Sequence, residues 1–294
     1  PRVVVISTGR ELVEPGQPLD LGQITDSNSF LLTTAAREAG AVAYRVAPVP
    51  DDERALLGRI QDQLVRADMI VTSGGVSAGA YDVVKQVLST VGTVTFDKVA
   101  MQPGMPQGFG TVGEEATPIF TLPGNPVSAF VSFEVFVRPA IRKMLGVSRL
   151  HRPSVKAVLQ TTLRSPEGKR QFARARWSPA PDGSYLVTPL AGQASHLLAD
   201  LAYANALVVV PELVTEVAAG QVVDTVLLER SELTSGSSWH AAGQLHTISS
   251  DPNISRLQGY TIRLYKEIEA ISGHSIGMHS TGGFYLASNQ VWYD

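Results

Sequence analysis

The chain contains no cysteine and few aromatic or charged residues. Of its 294 residues, 7% are aromatic and 17% are charged, and the formal net charge is −3. The absence of cysteine excludes disulfides, thiolate metal sites and cysteine nucleophiles. The small negative charge favours neither nucleic acid nor an anionic membrane as a partner. No apolar run is long enough to cross a bilayer, so we expect a cytoplasmic protein without a membrane partner.

Two glycine-rich loops each follow a short apolar run and precede a helical pattern. One runs from Ser73 to Asp82 and the other from Leu122 to Ser128. In an open α/β sheet, ligands bind outside the carboxyl ends of the strands, where helix N-termini offer free N–H groups. Together the loops predict a site for a phosphorylated ligand and a cation bound by Asp82. Turns that use Gly and Pro for backbone reasons alone would give a similar pattern.

Residues 1–146 alternate between strand and helix patterns. The predicted strands cover residues 2–7, 42–46, 69–72, 93–96, 108–111 and 119–122, and the predicted helices cover 28–39, 52–66, 82–88 and 127–145. We expect Ser27 or Asn28 to cap the first helix, and Asp51 or Asp52 to cap the second. This alternation predicts a three-layer α/β domain with a mostly parallel sheet and right-handed crossovers.

Residues 147–230 contain short β-branched runs split by Pro, Gly and Asp. This spacing predicts a small β-barrel or sandwich. Strand alternation places Arg174 and Arg176 on one side of a strand, either as a solvated face or as a phosphate-binding cluster. The segment Gly192–Leu197 is a second candidate for ligand contact.

These motifs resemble the molybdenum-insertion enzymes of molybdenum-cofactor biosynthesis, namely bacterial MoeA and the E domain of gephyrin. The resemblance covers about residues 1–230. Family members carry two further domains before the strand that starts here at Pro1, and we expect their absence to reduce the dimer interface. The matching segments are Ser7–Leu12, Gly22–Asn28, Pro50–Asp52, Ser73–Ser77 with Asp82 and Lys85, Lys98 ahead of Pro103–Gly104, and Leu122–Ala129.

The resemblance implies insertion of molybdate into adenylylated molybdopterin with release of AMP. It also implies a homodimer in which the β domain, residues 147–230, contacts the partner's site. Mg²⁺ is the implied cation, because this ion is usually held by one or two carboxylates together with substrate phosphates and waters. Asp51 and Asp82 would hold it, although each is also placed to cap a helix.

The resemblance further implies roles for individual residues. The implied catalytic residues are Glu11, Asp51, Asp82, Lys85 and Lys98. The implied substrate-binding residues are Thr8, Gly9, Asp26, Asn28, Ser73, Gly74, Gly75, Ser77, Gly104, Pro123, Gly124, Asn125, Pro126, Ser128, Arg174 and Ser195. Gln102 and Met105 stand where the family often has lysines, which lowers the expected anion affinity. Arg10 stands where an acidic residue is common and offsets part of that loss.

Residues from about 229 to 294 resemble a fragment of the dimethylglycine and sarcosine dehydrogenase group of flavoenzymes. By this resemblance, Glu229 would bind the adenosine ribose of FAD and His240 would carry covalent flavin. No G-x-G-x-x-G motif lies about 20 residues before Glu229, so the phosphate-binding half of that fold is missing. We therefore expect no FAD, and we expect residues 231–294 to be a foreign, partly ordered tail with one amphipathic helix at residues 260–271.

Three functions remain open at this stage. The first is molybdenum insertion. The second is a non-catalytic scaffold that retains the pterin and nucleotide pocket. The third is a fragment of a flavin oxidoreductase.

Overall fold

A computed structural model describes residues 1–75, 83–228 and 251–273 of the chain. The chain divides into two compact units, Pro1–Arg230 and Ser231–Asp294.

The first part of unit Pro1–Arg230 alternates between strands and helices, as the sequence pattern predicts. Its strands are β1 (Arg2–Thr8), β2 (Leu12–Val13), β3 (Ile24–Thr25), β4 (Val42–Val49), β5 (Met69–Ser73), β6 (Thr95–Lys98), β7 (Met101–Gln102), β8 (Pro106–Val112) and β9 (Thr117–Leu122). Its helices are α1 (Asn28–Glu38), α2 (Glu53–Leu64), α3 (Val83–Val91), α4 (Pro126–Ser132) and α5 (Arg138–Met144), with a π-helical turn at Phe133–Val137.

Six of these strands form a mixed sheet in the order β4-β1-β5-β9-β8-β6. The strands β4, β1, β5 and β9 are parallel, whereas β8 and β6 run antiparallel to their neighbours. The predicted α/β class is confirmed, and the antiparallel edge explains the two extra strands between the loops. Only residues 113–116 separate β8 from β9, and so short a connection can join only antiparallel strands.

Helices cover both faces of this sheet. Alternate residues of β1 point to opposite faces, so Val3 and Val5 pack with α1, α4 and α5, while Val4 and Ile6 pack with α2 and α3. All four side chains are fully buried. The apolar run at residues 3–6 is therefore an interior strand of a three-layer domain, covered on both faces.

The second part of unit Pro1–Arg230 is a closed barrel. Its elements are β10 (Ser154–Leu159), β11 (Leu163–Arg164), β12 (Arg170–Pro179), β13 (Tyr185–Pro189), α6 (Leu198–Tyr203), β14 (Ala206–Val210), β15 (Glu216–Val217) and β16 (Val222–Leu227). The strands follow the order β13-β10-β16-β14-β12, and pairing of β12 with β13 closes the ring. Of the two predicted forms, barrel and sandwich, the barrel is observed.

A shared strand edge and a shared apolar cluster join the barrel to the α/β domain. The short strand β7 pairs in parallel with β12, so that Met101 lies opposite Arg170. Met101, Val127, Val131 and Leu207 form one buried cluster. These contacts draw on residues of both domains.

The described part of unit Ser231–Asp294 is one helix, α7 (Pro252–Ser272). Asp251 caps it by accepting from the backbone N–H of Asn253 at 2.7 Å, and Gly273 ends it with φ 67°. The predicted helix at residues 260–271 is confirmed and begins two turns earlier, because Asp251-Pro252 is a strong start signal. None of its residues is buried. Glu229 and His240 lie outside the described residues.

In the ranges 1–75, 83–228 and 251–273, no helix has the length and apolar character needed to span a membrane.

Candidate functional site

An open cavity of about 870 Å³ lies at the carboxyl ends of β1, β5 and β9. It contains most of the site residues that the sequence predicts. The predicted residues that line it are Thr8, Gly9, Glu11, Asp26, Asn28, Asp51, Ser73, Gly74, Gly75, Pro123, Gly124, Asn125 and Pro126. Ser77 and Asp82 lie outside the described residues, so the predicted Asp51–Asp82 pair has no described geometry.

The described parts of the two glycine-rich loops lie side by side at this edge. The Gly74 N–H donates to the Leu122 carbonyl at 3.1 Å. Gly74 has φ +95°, and a Cβ at this position would lie 2.4 Å from the Thr8 carbonyl oxygen. Only glycine fits there, because the ends of β1 and β5 and the second loop meet at this point. The prediction of one shared sheet edge is therefore confirmed for residues 73–75 and 122–126.

Residues at the start of α1 hydrogen-bond to the second glycine-rich loop and to the first turn of the helix. Asn28 is 8% exposed, and its Nδ2 donates to the Gly124 carbonyl at 2.7 Å. The carboxylate of Asp26 is buried and accepts from the Ser29 N–H at 3.1 Å and from the Ser29 hydroxyl. Ser27 is the N-cap residue of α1, which is one of the two expected residues, but its side chain makes no capping hydrogen bond. Asp26 bonds the first turn instead, because Asn28 is directed across the cavity edge to the second loop.

The two aspartates before α2 have different positions. Asp52 is the N-cap of α2, and its carboxylate accepts from the Ala55 N–H at 2.9 Å. Asp51 lines the cavity, and Arg10 donates to its backbone carbonyl at 3.1 Å. The sequence left open which aspartate caps the helix, and the structure assigns the cap to Asp52.

The described side chains give the cavity an acidic character. Its negatively charged lining residues are Glu11, Asp26 and Asp51, its one arginine is Arg10, and His196 is a further basic residue. The Glu11 carboxylate folds back over Gly9, where a Cβ would lie 2.7 Å from its oxygen. No group of three or more His, Asp or Glu suited to a metal ion occurs in the described parts of the chain. A polyanionic ligand would therefore need a further cation to neutralise this lining.

Two predicted lysines do not line the cavity. Lys85, on α3, is half-buried, and its Nζ lies 5.8 Å from the centre of the Phe96 ring. Lys98 is exposed on β6, opposite Pro106, which is a cavity residue. Lys98 therefore stands at the rim of the cavity.

Two further predicted residues lie in the packing around the cavity. The Gly104 carbonyl accepts from Gln107 Nε2 at 2.6 Å, and the same nitrogen donates to the Ser132 hydroxyl. Ser128 is buried in α4. Both residues therefore support the structure around the cavity and do not line it.

Arg174 is buried, and its side chain binds the protein itself. It is 1% exposed and donates to the carbonyls of Leu197 at 2.7 Å, Ala194 at 3.1 Å and Gly192. Burial lowers the pKa of its guanidinium, and the charge of Asp200 opposes this shift. The geometry does not support a phosphate contact by Arg174, because the side chain is buried and both of its terminal nitrogens bond loop carbonyls, while its Nε is buried without a partner.

Arg176 is also separate from Arg174. It is exposed and donates to the Tyr203 carbonyl at 3.0 Å. The two arginines do not form the cationic cluster that strand alternation suggested, because Arg174 is turned into the protein and Arg176 is not.

The loop held by Arg174 reaches the cavity. Asn125 Nδ2 donates to the Ser195 hydroxyl at 2.8 Å, and the Val127 N–H donates to the Ser195 carbonyl at 3.0 Å. His196 lines the cavity. The barrel therefore contacts the cavity of its own chain. The contact with a partner's site that the family resemblance implies stays a prediction.

Arg10, Pro106 and His196 line the cavity but were not named individually as catalytic or binding residues, although His196 lies in the predicted contact segment Gly192–Leu197 and Arg10 was expected to offset lost positive charge. Each lies beside a predicted residue or motif: Arg10 precedes Glu11, Pro106 follows Met105, and His196 follows Ser195. Proximity to these motifs was the available signal. The side that each residue faces depends on the loops and could not be derived from the sequence.

The fold and the cavity define a class of protein. Residues 4–143 match the family model described as "Probable molybdopterin binding domain". Residues 156–228 match the model "MoeA C-terminal region (domain IV)". The chain therefore belongs to the MoeA family of molybdopterin molybdenumtransferases.

Relatives from Mycobacterium tuberculosis support this assignment. Molybdopterin molybdenumtransferase 2 is 53% identical over 226 residues, which are 74% of this chain and 54% of the relative. Molybdopterin molybdenumtransferase 1 is 42% identical over 232 residues, which are 78% of this chain and 54% of the relative. This chain spans about half the length of the curated relatives it matches.

Solved structures agree in fold. The crystal structure of molybdopterin biosynthesis MoeA protein from Pyrococcus horikosii matches with a TM-score of 0.66 and 30% identity, covering 78% of this chain and 55% of that chain. A second crystal structure, of the molybdopterin biosynthesis MoeA protein from Pyrococcus horikoshii OT3, matches with a TM-score of 0.61 and 25% identity. The match covers 77% of this chain and 53% of that chain.

A third family model, "FAD dependent oxidoreductase", matches residues 212–294. Its first part overlaps the MoeA match over residues 212–228. In the structure this overlap contains β15 and β16, which belong to the barrel domain. The described remainder of the match is α7 with its flanking cap residues.

Proposed function

We propose that this chain acts in molybdenum-cofactor biosynthesis, where it inserts molybdate into adenylylated molybdopterin and releases AMP. The observation that carries the proposal is the cavity at the ends of β1, β5 and β9, which gathers the MoeA-like motifs of three strand ends. A polar cleft at the carboxyl edge of an α/β sheet is the usual place for a nucleotide or phosphate ligand.

The residues support this chemistry in distinct ways. The backbone N–H groups of Gly75 and Gly124 are the candidates for binding phosphate oxygens, because the Gly74 N–H already donates to the Leu122 carbonyl. Arg10 supplies a positive charge at the cavity and holds the backbone of Asp51. Asn28 connects α1 to the second loop and so keeps the two sides of the cleft together.

Magnesium fits the donor set of the cavity. Carboxylates of Glu11 and Asp51 are oxygen ligands of the kind that Mg²⁺ prefers when substrate phosphates complete its coordination. In the proposal, Asp51 and Asp82 hold the ion. Bound there, the ion would neutralise the phosphate charge and favour departure of AMP. Capping does not compete for Asp51, because Asp52 is the cap of α2.

The two adjacent aspartates offer a matched test. Asp51→Ala should reduce magnesium-dependent AMP release from adenylylated molybdopterin by about 100-fold or more, as expected when a metal ligand is lost. Asp52→Ala should reduce the free energy of unfolding by about 0.5–2 kcal/mol and leave turnover per folded molecule near that of the parent. Equal activity of both variants would rule out Asp51 as a ligand.

A non-catalytic scaffold is the second candidate. Gln102 and Met105 take the place of lysines that are common in the family, and the described cavity lining has Arg10 as its one arginine or lysine. A protein that binds AMP but does not turn over substrate with magnesium and molybdate would fit this alternative. Gln102→Lys with Met105→Lys should then raise nucleotide affinity.

A flavin oxidoreductase is the third candidate, and it depends on the match of residues 212–294. We expect no bound FAD, because the sequence lacks a glycine fingerprint ahead of Glu229. Absorbance at about 450 nm in the purified protein would indicate bound flavin and contradict this expectation. The bound flavin would then carry out the oxidation or reduction.

A homodimer and a cytoplasmic location are part of the proposal. Both come from the sequence analysis. Sedimentation of the full chain over a range of concentrations tests the dimer, and a strict monomer that is fully active would contradict it.

A further inference from the structure

The helix α7 exposes large apolar side chains along its whole length. None of its 21 residues is buried. Its exposed large apolar residues are Ile254, Leu257, Tyr260, Tyr265, Ile268 and Ile271. Apolar side chains at helical spacing normally pack against another element. This face of α7 is therefore a candidate contact surface.

The apolar residues of α7 follow the seven-residue repeat abcdefg, in which the a and d positions form the seam of a coiled coil. The a positions are Ile254, Thr261 and Ile268, and the d positions are Leu257, Leu264 and Ile271. β-branched residues at a, together with leucine at most of the d positions, favour a parallel pair of helices. The repeat extends over three heptads, which is the full length of the helix.

One residue of this seam is polar, but its hydroxyl already has a partner. Thr261 Oγ1 donates to the Leu257 carbonyl at 2.9 Å. A hydroxyl that bonds within its own helix can be buried without losing its hydrogen bond. Thr261 therefore fits an apolar seam as a β-branched residue.

The positions beside the seam suit a second copy of the same helix in parallel orientation. In a parallel pair, the g residue of one helix faces the e residue five positions later in the other helix. The resulting pairs are Asn253 with Gln258, Tyr260 with Tyr265, and Glu267 with Ser272. These pairs bring no like charges together, and the tyrosines meet on both sides of the seam, where aromatic pairs are favourable.

The charged residues of α7 lie mostly away from the seam. Glu267, at a g position, is the exception. The others occupy the outer positions b, c and f, and they are Arg256, Arg263, Lys266 and Glu269. Burial of the seam would therefore leave these four charges in water, where they cost nothing to the pair.

We propose that α7 pairs in parallel with α7 of a second copy of this chain through the seam defined above. The contact is separate from the dimer that the family resemblance implies for residues 147–230, and it does not depend on the proposed molybdopterin chemistry. Three heptads form a short interface, so the pairing should strengthen with protein concentration.

The absence of cysteine from the parent chain permits a position-specific test of this pairing. Leu257→Cys places one thiol at a d position near the start of α7, where it meets its own copy only in a parallel pair. The full chain is oxidised at several protein concentrations, and non-reducing electrophoresis measures the fraction of cross-linked dimer. Lys266→Cys is the control, since its thiol would lie at f, on the outside of the pair. We expect about tenfold more cross-linking for Leu257→Cys, because pairing raises the effective concentration of its thiols.

Two changes made in the Leu257→Cys chain test the seam itself. Ile268→Lys places a charge at an a position and should reduce cross-linking by about tenfold or more. Ala270→Lys adds the same charge at an outer c position and should leave cross-linking unchanged. Lysine has a higher helix propensity than isoleucine, so a loss in Ile268→Lys would not reflect a weaker helix.

Equal cross-linking of Leu257→Cys and Lys266→Cys would overturn the proposal, because it would indicate random collision. Failure of Leu257→Cys to cross-link would also overturn it, since Leu257 lies far from its own copy in an antiparallel pair. Ile271→Cys repeats the test at the other end of the helix. A parallel pair requires Ile271→Cys to cross-link as Leu257→Cys does, and disagreement between the two would contradict it.

Discussion

Two buried arginines, Arg152 between the α/β domain and the barrel and Arg174 inside the barrel, have different partners. Arg152, where the chain leaves the α/β domain, pairs with Glu134 at 2.6 Å and with Glu38 at 3.2 Å. Arg174, in the barrel, binds loop carbonyls instead. A carboxylate partner balances the buried charge, whereas carbonyl partners mainly define the path of a loop.

The pKa shifts follow the same division. Burial alone would lower the pKa of Arg152, but the hydrogen bonds and charge of Glu134, helped by Glu38, raise it. For Arg174, burial lowers the pKa, and Asp200 offsets only part of this effect. Arg152 therefore serves stability, whereas Arg174 serves the shape of the cavity.

The largest expected effect is on the ion cluster. Glu134→Gln should lower the free energy of unfolding by about 3–5 kcal/mol, because it leaves Arg152 and the neighbouring buried Arg138 without their shared partner. Urea unfolding measures the loss. Glu38→Gln is the control, since its side chain is 26% exposed and should cost about 1 kcal/mol or less. Equal losses would mean that Glu134 is not the central partner.

A smaller loss of stability is expected in the barrel. Arg174→Met should lower the free energy of unfolding by about 1–3 kcal/mol, because three loop carbonyls lose their hydrogen-bond donor. The loss is smaller than that expected for Glu134→Gln, because the released carbonyls can turn towards water. Its principal effect should be on AMP affinity, whereas Arg152→Met should change stability and leave the affinity of the folded protein unchanged. Urea unfolding and calorimetry on the two variants give both quantities. A reversed pattern would contradict the assigned roles.

The smallest effect concerns a third arginine, at the surface. Arg2 bonds Asp68 through its backbone N–H at 2.7 Å and its guanidinium at 2.8 Å, and these bonds lower the pKa of Asp68. A carboxyl pKa that is lower in the folded state stabilises the protein above the unfolded pKa of about 3.9 and loses this contribution as the pH falls through the folded value. Asp68→Asn should therefore flatten the pH dependence of stability below about pH 4. An unchanged acid unfolding curve would show that the pair contributes nothing.

Much of the frame could be predicted from local patterns. The apolar run at residues 3–6 and the glycine at position 74 specify an interior strand and a tight loop, and the structure contains both. The antiparallel edge of the sheet follows from the short link between β8 and β9. The strand pattern alone does not reveal how short this link is. Local sequence therefore determined the elements better than their pairing.

The site was less predictable because it depends on contacts between distant segments. Asn28 looks like a helix cap, yet its partner is Gly124, 96 residues away. Arg174 looks like a ligand residue, yet closure of the barrel turns it towards Gly192–Leu197. Such orientations depend on tertiary packing, which periodicity and spacing do not encode.

The strand β16 has a consequence for where the chain can be divided. It hydrogen-bonds to β10 on one side and to β14 on the other, so it completes the ring although it is the last strand of the barrel in the sequence. It also lies in the stretch that two family models share. Any shortened version of this protein must retain residues up to at least Leu227, because a cut at residue 212 would leave two strand edges open to pairing with other chains.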